Sequence, residues 1–169
     1  MGVGAQMFDT WQPLIVSTLL LKDVIGKQPA SFEQSFMHMA QKNEIEILGL
    51  EKVEEQLNFF HAIPYKDQPK AIEEYINEPD EIVDGFNKLT TIYLSEDIDA
   101  LLKFTEKESK GYISTADIVD KRNQNWIPKI KEMATEKSSF FGVGAGHLGG
   151  PKGVINLLRK AGYTVTAIK

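Results

Sequence analysis

Residues 139–169 read SFFGVGAGHLGGPKGVINLLRKAGYTVTAIK, and this stretch decides the expected fold. The pattern at Ser139–Val143 is typical of a buried strand, and a glycine-dense loop follows at Gly144–Gly150. Pro151 suits the first position of a helix, which ends at a glycine after basic residues, as helix C-termini commonly do. Tyr163–Ile168 predicts a closing strand. The stretch therefore predicts a strand-loop-helix-strand unit.

Upstream of this unit most of the sequence favours helix, with one further strand predicted at Ile45–Leu50. Ser31 and Gln34 have the spacing of a capping box that opens a helix. A second box at Ser114–Asp117 opens a long helix that contains Pro128. Because proline lacks the amide that continues the helical hydrogen bonds, we expect a kink or a break just before it.

These elements predict a helix-rich fold of the α/β class. A small mixed sheet, which includes the C-terminal strand-loop-helix-strand unit, would be covered by many helices. The sequence contains no repeat, low-complexity tract or linker. We therefore expect residues 1–169 to form a single domain.

Composition argues against several classes of protein. Lys and Arg number 19 against 24 Asp and Glu, so the formal charge is −5, which argues against nucleic-acid binding. The absence of cysteine excludes disulfides, zinc–cysteine sites and thiol nucleophiles. The most apolar stretch, residues 13–21, is shorter than the ~20 residues that a bilayer span needs. We expect neither a membrane span nor an export signal within these residues.

His147 is the main candidate for chemistry, because it follows a predicted strand in a loop of small residues that leave a ring open to a metal or a substrate. Imidazole is the commonest protein metal ligand and also carries protons. A catalytic metal needs about three protein ligands, and no second histidine stands at ligand spacing. His38 and His61 are interpreted as ordinary, partly buried histidines. On the residues alone, His147 is either a functional group or a loop histidine bonded to backbone.

The glycine loop has a second interpretation. Gly144-x-Gly146-x-x-Gly149 fits a dinucleotide-binding fingerprint between a strand and a helix, where glycines let a phosphate approach. The acidic residue that would bind the ribose is missing after the next predicted strand. Cofactor binding at Gly144, Gly146 and Gly149 therefore remains an alternative function.

The same C-terminal stretch resembles the TraB/GumN family, which includes PrgY-type proteins and is related to the Tiki metalloproteases. The similarity includes the Gly144-x-x-His147 element, which is followed by a leucine-rich helix, a Gly-Tyr pair and a strand. Order and spacing agree from about Thr10 to the end of the chain. The matching segments are residues 141–150 and 153–165, Arg122-Asn123 with Trp126-Ile127, Gly49-Leu50-Glu51 with Glu55-Gln56, and Trp11-Gln12-Pro13.

This resemblance implies a divalent-metal hydrolase site that is shared between two Gly-x-x-His elements. Only the second element is present here, so His147 is the one metal donor that carries over. Arg122 and Glu51 carry over as catalytic residues that support the site and not as ligands. The chain is therefore expected to be the C-terminal portion of a longer TraB/GumN-like domain and to be inactive alone.

The residues themselves leave other roles open for these two supports. Arg122 either forms a surface salt bridge with Asp120 or Glu132, or reaches a buried carboxylate or a ligand. Glu51 either favours the dipole of a following helix or serves the site.

Three functions follow as hypotheses. The first is a metal-dependent, metallopeptidase-like hydrolase that acts on a peptide or protein once the missing half is supplied. The second is a non-catalytic peptide-binding or regulatory module, and the third is nucleotide binding at the glycine loop. Loss of the partner half would expose apolar surface, which favours a homodimer. The resemblance also implies a location in the bacterial envelope or periplasm.

Overall fold

The computed structural model describes residue 8 and residues 11–25, 30–61, 64–108 and 115–168. Helices make up most of this part of the chain, and none of the described helices is long and apolar enough to cross a membrane. Short 3-10 turns lie at Tyr65–Asp67 and Ala145–His147. The α-helices are α1 (Pro13–Ile25), α2 (Phe32–Lys42), α3 (Val53–His61), α4 (Lys70–Asn77), α5 (Pro79–Leu94), α6 (Ile98–Glu108), α7 (Thr115–Glu136) and α8 (Val154–Lys160).

Two local sequence signals can be compared with the helices, the capping residue before α2 and the proline inside α7. The backbone N–H of Gln34 donates to the Ser31 hydroxyl oxygen at 3.2 Å, which confirms that Ser31 caps α2. Helix α7 continues through Pro128, so of the expected kink or break, the break does not occur. The second capping box, predicted at Ser114–Asp117, rests on side chains outside the described part of the chain.

The predicted sheet does not form in the described residues, so the expectation of an α/β fold with a small mixed sheet is wrong. Residues 45–50, 139–143 and 163–168, for which the sequence predicts strands, lie in irregular segments without strand pairing. Alternating burial persists at residues 140–143, where Phe141 and Val143 pack on the core while Phe140 is 75% exposed. A strand also needs a neighbour whose amides and carbonyls complete a ladder, and none of the described segments supplies one.

The hydrophobic core joins α7 to α8. Trp126 and Ile130 of α7 are buried together with Val154 of α8. Burying a side chain such as Ile130 or Val154 contributes about 1.5–3 kcal/mol to the free energy of folding. The cluster therefore fixes the loops that contact it. The partly buried residues packed against it are Leu50, Ile127, Phe141, Val143 and Leu158.

A second group of helices packs together next to this core. Helix α1 contacts α4 and α5, and α5 contacts α6. The 3-10 turn at Ala145–His147 contacts both α6 and α7. The turn therefore places His147 between α6 of the second group and α7 of the core.

Candidate functional site

His147 ends the 3-10 turn, which is closed by a hydrogen bond from its amide to the Gly144 carbonyl at 2.9 Å. Its ring lies against the Trp126 ring, with 4.4 Å between the ring centroids and 38° between the planes. Burial lowers the pKa of the His147 imidazole to about 4; the positive charge of Arg122 adds to this shift and Glu51 opposes it. The imidazole is therefore neutral at pH 7, which is the form that binds metals and accepts protons.

Asn123 holds this histidine from α7. Its side chain is 1% exposed, and its Oδ1 lies 2.6 Å from His147 Nδ1. Its Nδ2 donates to the carbonyl of Lys152 at 3.0 Å and to the carbonyl of His147 at 3.3 Å. The buried amide thus ties the histidine turn to the loop that precedes α8.

Arg122 and Glu51 form an ion pair beside the histidine. Arg122 Nε donates to both Glu51 carboxylate oxygens at 3.1 Å, and a terminal guanidinium nitrogen donates to Oε1 at 2.6 Å. Each side chain is 17% exposed. Trp126 Nε1 donates to Glu51 Oε2 at 3.1 Å, and the Arg122 guanidinium carbon lies 5.0 Å from the Trp126 ring centroid. The Glu51 carboxylate therefore holds both the Arg122 guanidinium and the Trp126 ring, and the Trp126 ring contacts His147.

The charge state of Glu51 follows from these partners. Burial alone would raise the pKa of its carboxyl group. Hydrogen bonds from Arg122 and Trp126, together with the Arg122 charge, outweigh that effect and hold this pKa below its ordinary value. Glu51 is therefore an anion at neutral pH and neutralises the cation next to His147.

The spacing along α7 explains why these groups meet. Arg122 and Trp126 stand four residues apart, so they share one face of the helix, and Lys129 continues that face. Lys129 Nζ donates to the Leu50 carbonyl at 2.7 Å. This face therefore binds the segment that ends at Glu51, just before α3.

The glycines around His147 serve close packing. A Cβ at Gly149 would stand 2.8 Å from the Ile98 carbonyl oxygen, and a Cβ at Gly153 would clash with the carbonyls of Leu148 and Gly149. Neither position has room for a side chain without a shift of the loop. Gly146, by contrast, has open space at the Cβ position.

A cleft of about 730 Å³ opens next to this turn. Its lining is mainly apolar and comes from α5, α6 and α7 together with the glycine loop. Acidic groups of Glu106, Glu108 and Asp120 also line it, and Asp120 pairs with Lys152 at 2.9 Å. Gly146 and Asn123 line the cleft and also lie next to His147. A molecule in the cleft would therefore lie close to the 3-10 turn that carries His147.

The structure brings the three predicted site residues His147, Arg122 and Glu51 into one cluster. Arg122 binds Glu51 and neither of the acidic residues on its own helix that the sequence offered. Sequence reasoning noted Asn123 and Trp126 as parts of a motif and gave neither a role in the site. The available signal was their spacing from Arg122 on α7.

The other sequence-predicted groups are less informative. His38 is exposed on α2, so its prediction as partly buried is wrong. The side chain of His61 lies outside the described residues. Within the described residues, no group of three His, Cys, Asp or Glu side chains could hold a metal ion.

Comparison with known proteins matches these features to a family. The model of the TraB/PrgY/gumN family matches residues 1–167. The chain is also similar to the human protein named Metalloprotease TIKI1, with 26% identity over 185 residues; the match covers 92% of this chain and 36% of that relative. The chain thus spans about a third of the length of this curated relative. No solved structure matches it. Because the family model covers nearly all of the sequence, the chain belongs to the TraB/PrgY/gumN family.

Proposed function

We propose that this chain carries one side of a metal-dependent, metallopeptidase-like hydrolase site in which His147 is the donor. The observation that carries this proposal is the direct contact at 2.6 Å between the His147 imidazole and a fully buried amide. A loop histidine with a backbone partner alone would not need a buried side chain and an ion pair around it. Membership of the family and the similarity to a protein named as a metalloprotease support the same assignment.

The described residues do not complete a metal site. One imidazole is a single donor, whereas a catalytic divalent ion is held by about three protein ligands. Arg122 is a cation, and Glu51 already accepts hydrogen bonds from Arg122 and Trp126. We therefore assign no metal-dependent step to these residues alone, and the proposal requires further donors.

Exposed apolar side chains favour the docking of a partner on this chain. Phe32 and Phe140 are each more than half exposed, and the centroids of their rings lie 6.2 Å and 5.0 Å from that of the Phe36 ring. Exposed large side chains that lie close together mark interaction surfaces. We propose that the donor-bearing half of the domain covers this face. A second copy of the chain is the competing occupant, which light scattering would reveal as a dimer.

The substrate proposed is a peptide or protein segment in the cleft beside His147. The cleft is large enough for side chains of a bound peptide, and its apolar walls suit them. The test is cleavage of a peptide library by protein expressed from its complete reading frame. We expect cleavage to be abolished by a chelator and by His147→Ala, while His38→Ala leaves it unchanged. Equal cleavage by the wild type and His147→Ala would overturn the proposal.

The second candidate is a non-catalytic peptide-binding module. It is favoured by the mainly apolar cleft beside the glycine loop. This function predicts peptide binding that neither a chelator nor His147→Ala weakens. The nucleotide alternative draws less support, because Gly149 closely approaches the chain's own backbone.

A further inference from the structure

The orientation of the Asn123 amide is determined by its surroundings. Its Nδ2 lies 3.0 Å from the Lys152 carbonyl oxygen and 3.3 Å from the His147 carbonyl oxygen. Carbonyl oxygens only accept hydrogen bonds, so the NH₂ group must face them. The reversed amide would set its oxygen against both carbonyls in a buried place, where an unsatisfied polar group is unfavourable. The amide oxygen therefore faces His147 Nδ1.

This orientation dictates where the imidazole proton sits. The Asn123 oxygen has no hydrogen to give, so the contact at 2.6 Å requires a hydrogen on His147 Nδ1. The partly buried ring packs against Trp126, and burial favours the uncharged form of an imidazole. A neutral imidazole carries a single N–H, which leaves the lone pair on Nε2.

We propose that Asn123 is a positioning residue that fixes His147 in the Nδ1–H tautomer and so presents Nε2 as the donor atom. Free histidine in water favours the opposite tautomer, so the protein must impose this state. The tautomer rests on the contacts of Asn123 and on the burial of the ring. Only the use of Nε2 toward a metal ion rests on the proposed function.

A buried amide suits this task better than a carboxylate. Asp at this position would present an oxygen to the two backbone carbonyls that now receive hydrogen bonds from Nδ2. It would also place a second negative charge near Glu51. An amide supplies one acceptor for the ring and two donors for the loop, which fixes the ring and the turn with the same group.

The direct test is long-range ¹H–¹⁵N NMR correlation of the histidine rings at pH 7 in the metal-free protein. We expect His147 to show one protonated Nδ1 and one unprotonated Nε2, while exposed His38 in the same spectrum shows averaged shifts. A His147 spectrum dominated by Nε2–H, or averaged like that of His38, would overturn the inference. This measurement needs no variant, so it is decisive even where a substitution prevents folding.

Asn123→Ala tests the cause. In folded Asn123→Ala we expect the His147 ring to lose its single Nδ1–H state, and zinc affinity of the complete protein to fall about 10–100-fold. A folded Asn123→Ala variant that keeps the pure Nδ1–H tautomer would contradict the role of Asn123. If the tautomer is as expected but His147→Ala leaves the bound metal unchanged, the proposed function fails and the inference about Asn123 stands.

Discussion

Removal of the Glu51 carboxylate should cost more stability than removal of any exposed ion-pair partner. Glu51→Ala leaves the Arg122 guanidinium without its counter-charge and the Trp126 indole N–H without its acceptor. Breaking a buried pair on one side costs about 3–5 kcal/mol, and an unsatisfied buried N–H about 1–3 kcal/mol. Because both charged side chains keep 17% exposure, water can replace part of the loss. We therefore expect about 2–4 kcal/mol of destabilisation in total.

Urea unfolding followed by circular dichroism measures this cost. With a slope of about 2 kcal/mol per M, the midpoint should fall by about 1–2 M. The matched control is Glu46→Ala, which removes a carboxylate 2.8 Å from Lys137 in a pair whose side chains are about 60% exposed. Exposed pairs contribute little, so the control midpoint should stay at that of the wild type. A shift for Glu51→Ala no larger than that of the control would refute the structural role given to Glu51.

Three further outcomes follow from the same cluster. Gly153→Ala should destabilise the protein by about 1–3 kcal/mol because its Cβ meets two backbone carbonyls, whereas Gly146→Ala, with open space, should leave the melting temperature unchanged. The folded-state pKa of Glu51 is lowered from 4.5, so its contribution is present above pH 4.5 and lost as the pH falls through the folded value. The urea midpoint of the wild type should therefore drop more steeply below pH 4.5 than that of Glu51→Gln. Trp126→Phe should lose about 1 kcal/mol with the indole hydrogen bond, and an unchanged unfolding midpoint would argue against that bond.

The sequence predicted the C-terminal unit only in part. A helix does follow the glycine loop, but α8 begins at Val154 and not at the predicted Pro151, and residues 139–143 and 163–168 form no strands in the described chain. Alternation of apolar side chains depends on one segment and the layer beneath it, and Phe141 and Val143 do face the core. Sheet formation depends on a second segment at hydrogen-bonding distance. The sequence pattern therefore indicates which side chains face the core, but it does not indicate which segment lies at hydrogen-bonding distance.

Three residues named from the sequence lie together in the structure, although the fold predicted around them is wrong. Glu51, Arg122 and His147 could be named because the Gly-x-x-His element and its companion motifs have a recognisable order and spacing. The pairing of Arg122 with Glu51, 71 positions earlier in the chain, could not be derived from local spacing. The role of Asn123 depends on two carbonyls in a loop that folds over α7, so its burial appears only in three dimensions.

The metal content of the protein expressed from its complete reading frame decides whether His147 is a metal donor. After equilibrium dialysis against zinc, we expect the wild type and His38→Ala to retain the same metal content. His147→Ala should lose about one equivalent, because one of about three ligands disappears. Equal metal content in all three proteins would contradict the assignment of His147 as a metal donor.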